Sequence, residues 1–454
     1  MHRTRKKKKI SEITQTRTQV VCERDRISNL PDEILVHILS FLHMKYAATT
    51  SILSTRWRFL WTWNPSLDFS YCKPTVIDRC LDLHRAPKLR SLKYCNTFYD
   101  HPETEAVSRW LRYAATHNVE ELSLFLAYPY QESYPLSLFE CQTLMHLALR
   151  DGKLNLSVNF RGFKSLVTLC LERVFIKEEV LCTLISTCDL LENLEVIDCS
   201  FLMNRLRISA TNSSRLRNLK IISFPERRSP GTLEINAPSL LFFTCRGWKL
   251  SWSDFSHLRE ADLGFISFDS GWNEDLEGWR RILSAMTSLR TLFAGDWLFQ
   301  KPKCRKHLPV PFHDHFVFKN LKELDVFIKH KESKDYLASF ISLLKACPAL
   351  ETARLYLVSG LERDRCVRYD KVRLWLKEIH HPIFSHDRLK TLELGGFMST
   401  KTELLLLKFL LEKTIALESL ILKLRKEINN SELLRNELTL HKASPIAQII
   451  ISHI

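Results

Sequence analysis

The residues best suited to metal chemistry are histidines, which occur in two short clusters. These are His313, Asp314 and His315 in the first cluster, and His380, His381 and His386 in the second. Imidazole and carboxylate groups are ordinary ligands of transition metals. Neither cluster is accompanied by the Cys/His frame of a zinc module, so the pattern favours loop residues and we predict no metal site.

Signatures of catalysis and of nucleotide binding are absent from the sequence. There is no G-x-S-x-G, H-E-x-x-H or paired Cys/His nucleophile pattern, so hydrolase chemistry has no support. G-x-G-x-x-G and G-x-x-x-x-G-K-[ST] patterns are also missing, and only 11 glycines are available for phosphate-binding loops. We therefore expect a non-catalytic protein with no cofactor.

Cysteine usage and hydropathy bear on the compartment. The 13 cysteines are scattered singly, without C-x-x-C pairs, which favours a reducing environment. No apolar region of signal-peptide type is visible, and the most hydrophobic stretch, Leu404 to Leu424, is interrupted by charged residues. We expect a soluble protein of the nucleus and/or cytoplasm.

Positive charge is concentrated in two segments of a chain whose formal net charge is +15. Arg3, Arg5 and Lys6 to Lys9 form a basic run without apolar periodicity, which is either a nuclear import signal or a solvated tail. Residues 301–307 have the composition of an exposed loop that could contact an acidic partner. Nucleic-acid binding is a lesser alternative, because it requires a basic face interleaved with aromatic residues and only scattered charge is evident.

The most specific pattern lies between Arg26 and Trp63. Its apolar residues recur at helical spacing, namely Leu30, Ile34, Leu35, Ile38, Leu39 and Leu42. The apolar pattern restarts through Tyr46 and Leu53 and again from Trp57 to Trp61, which predicts three short helical pieces. A unit of about 40 residues has little interior, so this much apolar surface implies burial against a partner or a following domain.

These residues carry a resemblance. Leu30 to Leu35, Ile38 to Leu42, Ser51 to Arg58 and Leu60-Trp61 together are similar to the plant form of the F-box. The resemblance implies binding to the Skp-type adaptor of a cullin-RING ubiquitin ligase. The positions it assigns to the adaptor are Leu30, Pro31, Ile34, Leu35, Ile38, Leu39 and Leu42. His43 stands where the family usually has Pro, which should leave the helix end less rigidly fixed. Periodicity alone also permits a three-helix cap whose apolar residues are all internal core.

Beyond this module, a second pattern recurs. A leucine, two further residues and an alternating apolar pair appear in units such as Leu166-Leu169-Leu171 and Leu191-Leu194-Val196, at intervals of about 22 to 32 residues. Each alternating pair predicts a short strand, and stacked strands bury a continuous core that no single repeat could form. Helical spacing over 180–188, 282–286 and 337–344 predicts outer return helices. The predicted fold class is α/β, a three-helix module followed by an irregular leucine-rich-repeat solenoid with a parallel strand ladder.

The resemblance to plant F-box proteins with leucine-rich repeats covers almost all of the chain. The stretch from Phe384 to Leu424 looks like the FBD region of such proteins, physically a strand, a Gly turn and a long amphipathic helix that suits an end cap. The residues from Ser444 are either a last strand or disordered. The predicted divisions are a disordered basic tail (1–25), the F-box (26–66), the repeats (67–380), the FBD-like region (381–440) and a tail (441–454).

The function implied by the resemblance is a substrate-receptor subunit of an SCF-type ubiquitin ligase, with the repeats holding a target protein. Recognition should use residues between the buried strand positions, because these point to the open face of the ladder. The candidates are Glu172, Glu195, Lys220, Asp325, Arg354, Tyr356 and Glu393. A receptor for a small, hormone-like molecule on the same scaffold, or a nuclear nucleic-acid-binding protein, are the alternatives.

Overall fold

The structure, a computed structural model, divides into two compact units, residues 1–166 and 167–454. It describes residues 27, 29–95, 102–126, 132–200, 205–210, 215–223, 231–251, 255–264, 285–295, 317–329, 336–358, 385–397, 401–425 and 442–453. The predicted basic run at residues 3–9, the basic loop at 301–307 and the histidines at 313, 315, 380 and 381 lie outside these ranges.

The N-terminal module consists of short helices. They are α1 (Asp32–Leu39), α2 (Met44–Thr49) and two 3-10 helices, Thr50–Ile52 and Trp57–Trp63. Pro31 immediately precedes α1, where its missing N–H leaves no hydrogen bond unmade, and Asp32 and Glu33 lie in the favourable field of the helix N-terminus. The prediction of short helical pieces in this stretch is confirmed.

A parallel ladder follows in the first unit. Its strands, in spatial order, are β1 (Ser66–Asp68), β2 (Ser91–Cys95), β3 (Glu121–Phe125) and β4 (His146–Arg150). The segments between and after them contain α3 (Pro74–Leu83), α4 (Thr104–Thr116), a 3-10 helix (Leu136–Glu140) and β5 (Lys153–Leu154). Leu67, Leu92, Leu122 and Leu147 are successive partners across the ladder, and all four are buried. Strand β1 thus starts the ladder at the boundary that the sequence predicted between the F-box and the repeats.

The second unit continues with the same architecture. Its ladder strands are β6 (Thr168–Glu172), β8 (Asn193–Ile197), β10 (Asn218–Ile222), β12 (Phe242–Arg246), β14 (Glu260–Leu263), β15 (Thr291–Ala294), β16 (Glu323–Lys329), β17 (Thr352–Val358), β18 (Thr391–Phe397), β19 (Ser419–Leu424) and β20 (Gln448–His453). Neighbouring strands pair in parallel in that order. The α/β fold class with a long parallel strand ladder is confirmed.

Alternation within each strand explains the core. In β8, for example, Leu194 and Val196 are buried while Asn193, Glu195 and Ile197 remain half-buried on the open face. The leucine that precedes each strand, such as Leu191, is also fully buried, because it fills the turn into the strand. Each repeat thus contributes three apolar side chains to the core, and the neighbouring repeats cover them.

Among the described residues of the second unit, some return segments are helical and others are extended. Helices α5 (Glu178–Thr187), α6 (Tyr336–Lys345) and α7 (Lys401–Lys413) lie in this part of the chain, and the short strand β7 (Phe175–Ile176) precedes α5. Between β8 and β14, however, the segments are strands, β9 (Arg205–Ser209), β11 (Thr232–Asn236) and β13 (Lys249–Leu250), paired in a separate parallel sheet. Their period-two alternation, as in Arg205-Leu206-Arg207-Ile208, selects strand over helix. The helices predicted over 180–188 and 337–344 are present, and most of the third predicted segment, 282–286, lies outside the described residues.

The C-terminal part contains the predicted strand and helix, β18 and α7. Gly396 lies at the end of β18 with φ +74, and a Cβ there would lie 2.1 Å from the carbonyl oxygen of Leu357. Two further strands, β19 and β20, extend the ladder beyond α7, and β20 is the last strand that the sequence had left open. No helix among the described residues is both long enough and apolar enough to cross a membrane.

Candidate functional site

Helix α1 has one face in the module's own core. Leu35 and Leu39 have 0% exposure, and α1 packs against the 3-10 helix that carries Trp57, Leu60 and Trp61. The sequence had assigned Leu35 and Leu39 to an adaptor surface. They are buried instead, because this 3-10 helix packs on them. Leu35 and Leu39 are therefore not part of any exposed surface.

The other face of α1 is apolar and exposed. Ile34 is 45% exposed and Ile38 is 40% exposed, whereas Pro31 is exposed and Leu30 and Leu42 are half-buried. Further large apolar side chains of the same module are exposed, namely Phe41, Tyr46, Ile52, Leu53 and Phe59. Sequence reasoning did not assign these five to a surface, because periodicity cannot tell an exposed apolar residue from a buried one. Large exposed apolar side chains in such number are typical of an interaction surface.

Arg56 fixes the start of α1. Its Nε and Nη2 atoms donate to Asp32 Oδ1 at 2.9 and 2.6 Å, and Nη2 also donates to the carbonyl oxygen of Leu30. This pair is exposed, so its contribution to stability is small. Its effect is geometric, since it ties the loop before the second 3-10 helix to the N-terminus of the helix that presents Ile34 and Ile38.

His43 occupies the position where a Pro was expected. It precedes α2 with φ −57, a value that a Pro ring would also impose, so the backbone is unchanged by the difference. The side chain adds a contact, because His43 Nδ1 lies 3.1 Å from Asp68 Oδ2 and Lys93 Nζ lies 3.3 Å from the same oxygen. Burial raises the pKa of Asp68, but hydrogen bonds from Ser70 and His43 and the charge of Lys93 outweigh burial, so the net pKa is lowered. His43 thus links the module to β1.

A buried polar chain makes a second link. The Asn64 amide donates to the carbonyl oxygen of Leu39 at 3.2 Å, and His84 Nε2 lies 2.8 Å from the carbonyl oxygen of Asn64. A carbonyl only accepts, so His84 carries its proton on Nε2 and its Nδ1 accepts from the Tyr113 hydroxyl at 2.6 Å. Burial lowers the pKa of His84, which favours this neutral form.

Four of the seven recognition candidates meet on the open face of the second unit's ladder. Arg354 Nη1 donates to Asp325 Oδ1 at 2.9 Å, and the Tyr356 hydroxyl donates to Glu393 Oε1 at 2.9 Å. The strand register places Asp325, Arg354 and Glu393 in one row across β16, β17 and β18. Parallel pairing of adjacent strands brings together residues that lie 29 to 39 positions apart in the sequence.

The other three candidates lie elsewhere. Glu195 accepts from Lys220 at 3.0 Å between β8 and β10, and Glu172 pairs with its neighbour Arg173 at 3.0 Å. These are ion pairs of the same open face, but they do not join the cluster around Arg354.

The cluster includes residues that sequence reasoning missed. The rings of Phe293, Phe327 and Tyr356 form a row, which we call the aromatic strip. The Phe293 and Phe327 centroids are 4.7 Å apart with tilted planes, and the Phe327 and Tyr356 rings are stacked at 4.6 Å. Arg246 lies 5.8 Å from the Phe293 centroid, and Lys423 lies 5.7 Å from the Tyr356 centroid. In the sequence, each ring belongs to an aromatic residue that lies between two buried positions of a strand. Only the strand register shows that the three rings are neighbours.

Burial and charge shift the acid–base properties of the cluster. Burial, followed by the hydrogen bond and charge of Glu393, raises the pKa of Tyr356 to about 12. Burial also raises the pKa of Asp325, against the opposing hydrogen bond and charge of Arg354. Tyr356 therefore stays a neutral hydroxyl donor at physiological pH, and the cluster holds its charges in pairs.

His386, from the second histidine cluster of the sequence, is held by backbone groups. His386 is buried, its Nε2 lies 3.0 Å from the Cys347 carbonyl oxygen, and its Nδ1 accepts from the Leu389 N–H at 3.2 Å. Both ring nitrogens are thus engaged by backbone, and burial lowers the pKa of the ring. Across the described ranges, no group of three or more His, Cys, Asp or Glu residues is arranged to hold a metal ion.

Comparisons with known proteins agree with this architecture. The F-box domain family matches residues 27–69, and the family described as the At1g61320/AtMIF1 LRR domain matches residues 81–451. The FBD-associated F-box protein At5g38590 of Arabidopsis thaliana is 30% identical over 341 residues, which cover 72% of this chain and 76% of that protein.

Other relatives match over different lengths. The F-box/LRR-repeat protein At3g59210 of Arabidopsis thaliana is 28% identical over 94% of this chain and 93% of its own length. The putative FBD-associated F-box protein At5g56700 is 40% identical, but the match covers only 38% of this chain and 46% of that protein. Among solved structures, an internalin (inlF) of Listeria monocytogenes matches 75% of this chain and 77% of its own, with 13% identity and a TM-score of 0.27.

Proposed function

We propose that this chain, which belongs to the plant family of F-box/leucine-rich-repeat proteins, is a substrate-recognition subunit of an SCF-type cullin-RING ubiquitin ligase. The module at 27–69 docks on a Skp-type adaptor, and the open face of the repeats holds a target protein. The observation that carries the proposal is the two-sided helix α1, with Leu35 and Leu39 buried and Ile34 and Ile38 exposed.

The proposed mechanism is proximity. A target held on the repeats stays near the ubiquitin-loaded enzyme that the ligase recruits, so the attack of a target lysine becomes effectively intramolecular. The chain itself needs no catalytic group for this role. Burial raises the pKa of the Cys80 thiol to about 11 and that of Cys141 to about 12, opposite to the shift that activates a nucleophile.

Co-purification with a Skp-type adaptor tests the docking step. Ile34→Asp and Ile38→Asp should abolish adaptor binding, because each places a charge on an apolar contact surface. Val76→Asp is the matched control, since Val76 is an exposed apolar residue of α3 outside the module. Wild-type protein that captures no adaptor, or equal capture by all three variants, would show that the docking assignment is wrong.

A small-molecule receptor on the same scaffold is the second candidate. The aromatic strip with the Tyr356 hydroxyl and the Arg354 guanidinium beside it supports this possibility, because flat rings and a few fixed polar groups suit a small ligand. A thermal-shift screen with small plant signalling molecules separates the two functions. A shift that Tyr356→Ala removes would favour the small-molecule receptor.

We also propose that the protein resides in the nucleus and/or cytoplasm. The support is the basic run at residues 3–9 of the sequence. Imaging of a fluorescent fusion with and without residues 1–25 tests whether that run directs nuclear import. The same truncation tests the nucleic-acid alternative, since steep salt-dependent binding of DNA or RNA should disappear with the tail.

A further inference from the structure

The second 3-10 helix of the module covers α1 with one side and leaves its other side exposed. Trp57, Leu60 and Trp61 are buried, whereas Phe59 is 54% exposed and Trp63 is 48% exposed. Large aromatic side chains are enriched at the centres of protein interfaces. The exposed side of this helix therefore has the composition of a contact surface.

Two arginines lie over the exposed ring of Phe59. The Cζ atom of Arg58 is 5.5 Å from the ring centroid, and the Cζ atom of Arg85 is 6.0 Å from it. A guanidinium over an aromatic ring is held there by cation–π attraction, while its N–H donors stay in the guanidinium plane, where a carboxylate can accept from them. Phe59 thus holds two cations at one place on the surface.

Neither arginine has a carboxylate partner. Arg58 and Arg85 are exposed, and neither forms an ion pair within the part of the chain that the structure describes. Asp82 is the carboxylate nearest to Arg85 in the sequence, and it does not pair with this arginine. Lys88 of the same unit, by contrast, has Glu120 Oε1 at 2.6 Å. The two cations over Phe59 are therefore open to a carboxylate from another protein.

The two arginines come from different parts of the chain. Arg58 and Phe59 belong to the module, whereas Arg85 follows α3 and lies outside the range that matches the F-box. A backbone hydrogen bond holds the two parts together, since the Arg85 N–H donates to the carbonyl oxygen of Thr62 at 2.7 Å. We call Arg58, Phe59, Trp63 and Arg85 the junction patch.

We infer that the junction patch binds an acidic segment of the Skp-type adaptor, with carboxylates on Arg58 and Arg85 and an apolar side chain on Phe59 or Trp63. The occupant is the adaptor because Phe59 belongs to the exposed apolar side chains of the docking module. Its acidic chemistry follows from two arginines that no described carboxylate neutralises. The inference rests on the proposed docking function, and it extends the adaptor contact beyond the F-box to the first repeat.

Surface plasmon resonance of the full-length chain on an immobilised Skp-type adaptor tests the role of the charges. We expect Arg58→Gln and Arg85→Gln each to weaken binding about fivefold, and the double variant to show a shallower salt dependence between about 50 and 500 mM NaCl. Arg112→Gln is the matched control, because it removes the same charge from an exposed arginine of α4, which pairs with Glu105. Urea unfolding of each variant verifies that it is folded.

A zero-length carbodiimide cross-link identifies the chemistry of the partner group. Arg85→Lys keeps the positive charge and supplies an amine, which the reagent joins to a carboxylate in contact with it. Mass spectrometry of the complex should locate a new cross-link between position 85 and an Asp or Glu of the adaptor. Arg112→Lys should give no cross-link to the adaptor.

The results separate this inference from the docking function itself. If the adaptor is captured but Arg58→Gln and Arg85→Gln weaken binding no more than Arg112→Gln does, the inference fails alone. It also fails alone if Arg85→Lys forms no cross-link to an adaptor carboxylate, or if loss of either arginine tightens binding. If the wild-type chain captures no adaptor, the ligase role fails and the inference fails with it.

Discussion

Adjacent residues of α1 should respond in opposite ways to truncation. Leu39 is fully buried, so Leu39→Ala should lower the free energy of unfolding by about 2–5 kcal/mol through lost burial and a residual cavity. Ile38 is 40% exposed and retains fewer contacts, so Ile38→Ala should lower it by only about 1 kcal/mol. Urea unfolding followed by intrinsic fluorescence measures both changes.

Adaptor affinity should show the reverse order. If Ile38 is an anchor of the docking surface, Ile38→Ala removes about 2 kcal/mol of binding, which is about thirtyfold in the dissociation constant. Leu39→Ala should change the affinity little at temperatures where the variant stays folded. Surface plasmon resonance on an immobilised Skp-type adaptor provides the measurement. Equal destabilisation by the two variants, with unchanged adaptor affinity for Ile38→Ala, would refute the division of α1 into a core face and a docking face.

Three further predictions concern the stability of the fold. Gly396→Ala should lower the free energy of unfolding by about 1–3 kcal/mol or more, because φ +74 and the Leu357 carbonyl leave no room for a Cβ; urea unfolding checks it. Folding lowers the pKa values of His84 and His386 below the usual 6.5. Their contribution to the free energy of unfolding is therefore fully present above pH 6.5 and is lost as the pH falls toward their pKa values in the folded chain. Replacing both by Gln should flatten urea midpoints between about pH 7.5 and 5, and an unchanged slope would contradict the assignment. The pKa of Asp68 is also lowered on folding, so the contribution of Asp68 to the free energy of unfolding is present above pH 3.8 and is lost below it. Asp68→Asn should therefore destabilise the chain at neutral pH and weaken the loss of stability in acid. Thermal unfolding at about pH 7 and about pH 3 measures both effects.

The ladder was predictable because its signal is local. Leu194 and Val196 alternate with polar residues, and Leu191 stands three positions before Leu194, so a few consecutive residues specify the strand and its buried face. The outer strands β9 and β11 carry the same kind of local alternation, although no prediction was made for these segments from the sequence. The spacing of apolar residues within each repeat therefore distinguishes strands from helices.

The two faces of α1 could not be separated in this way. Ile34, Leu35, Ile38 and Leu39 are all apolar and all at helical spacing, so the pattern covers more of the helix than a single buried stripe. Which half is core depends on where the 3-10 helix with Trp57 and Trp61 packs, and that is a tertiary contact. The sequence accordingly predicted the helix, but Leu35 and Leu39, which it assigned to an adaptor surface, lie on its buried side.

The recognition cluster depended on register. Asp325 and Arg354 were expected on the open face from alternation alone, but Phe293 and Phe327 become neighbours only because β15 pairs with β16 so that Phe293 is opposite Asp325, two residues before Phe327. Register across repeats of unequal length cannot be counted from the sequence. The same limit explains why Glu172 and Glu195, chosen by the same rule, lie outside the cluster.

The link between the module and the first strands bears on how a receptor of this kind would work. Proximity accelerates a reaction only when the held groups keep a productive orientation, so a docking module on a loose tether would lose much of the effect. Here the Asn64 side-chain amide donates to the carbonyl oxygen of Leu39, and the Asn64 carbonyl oxygen accepts from His84. His43 contacts Asp68 of β1. The Arg85 N–H also donates to the carbonyl oxygen of Thr62 at 2.7 Å. These contacts fix the orientation of α1 relative to the first repeats. Asn64→Ala removes the side-chain contact to Leu39, so it should reduce ubiquitin transfer more than it reduces adaptor affinity.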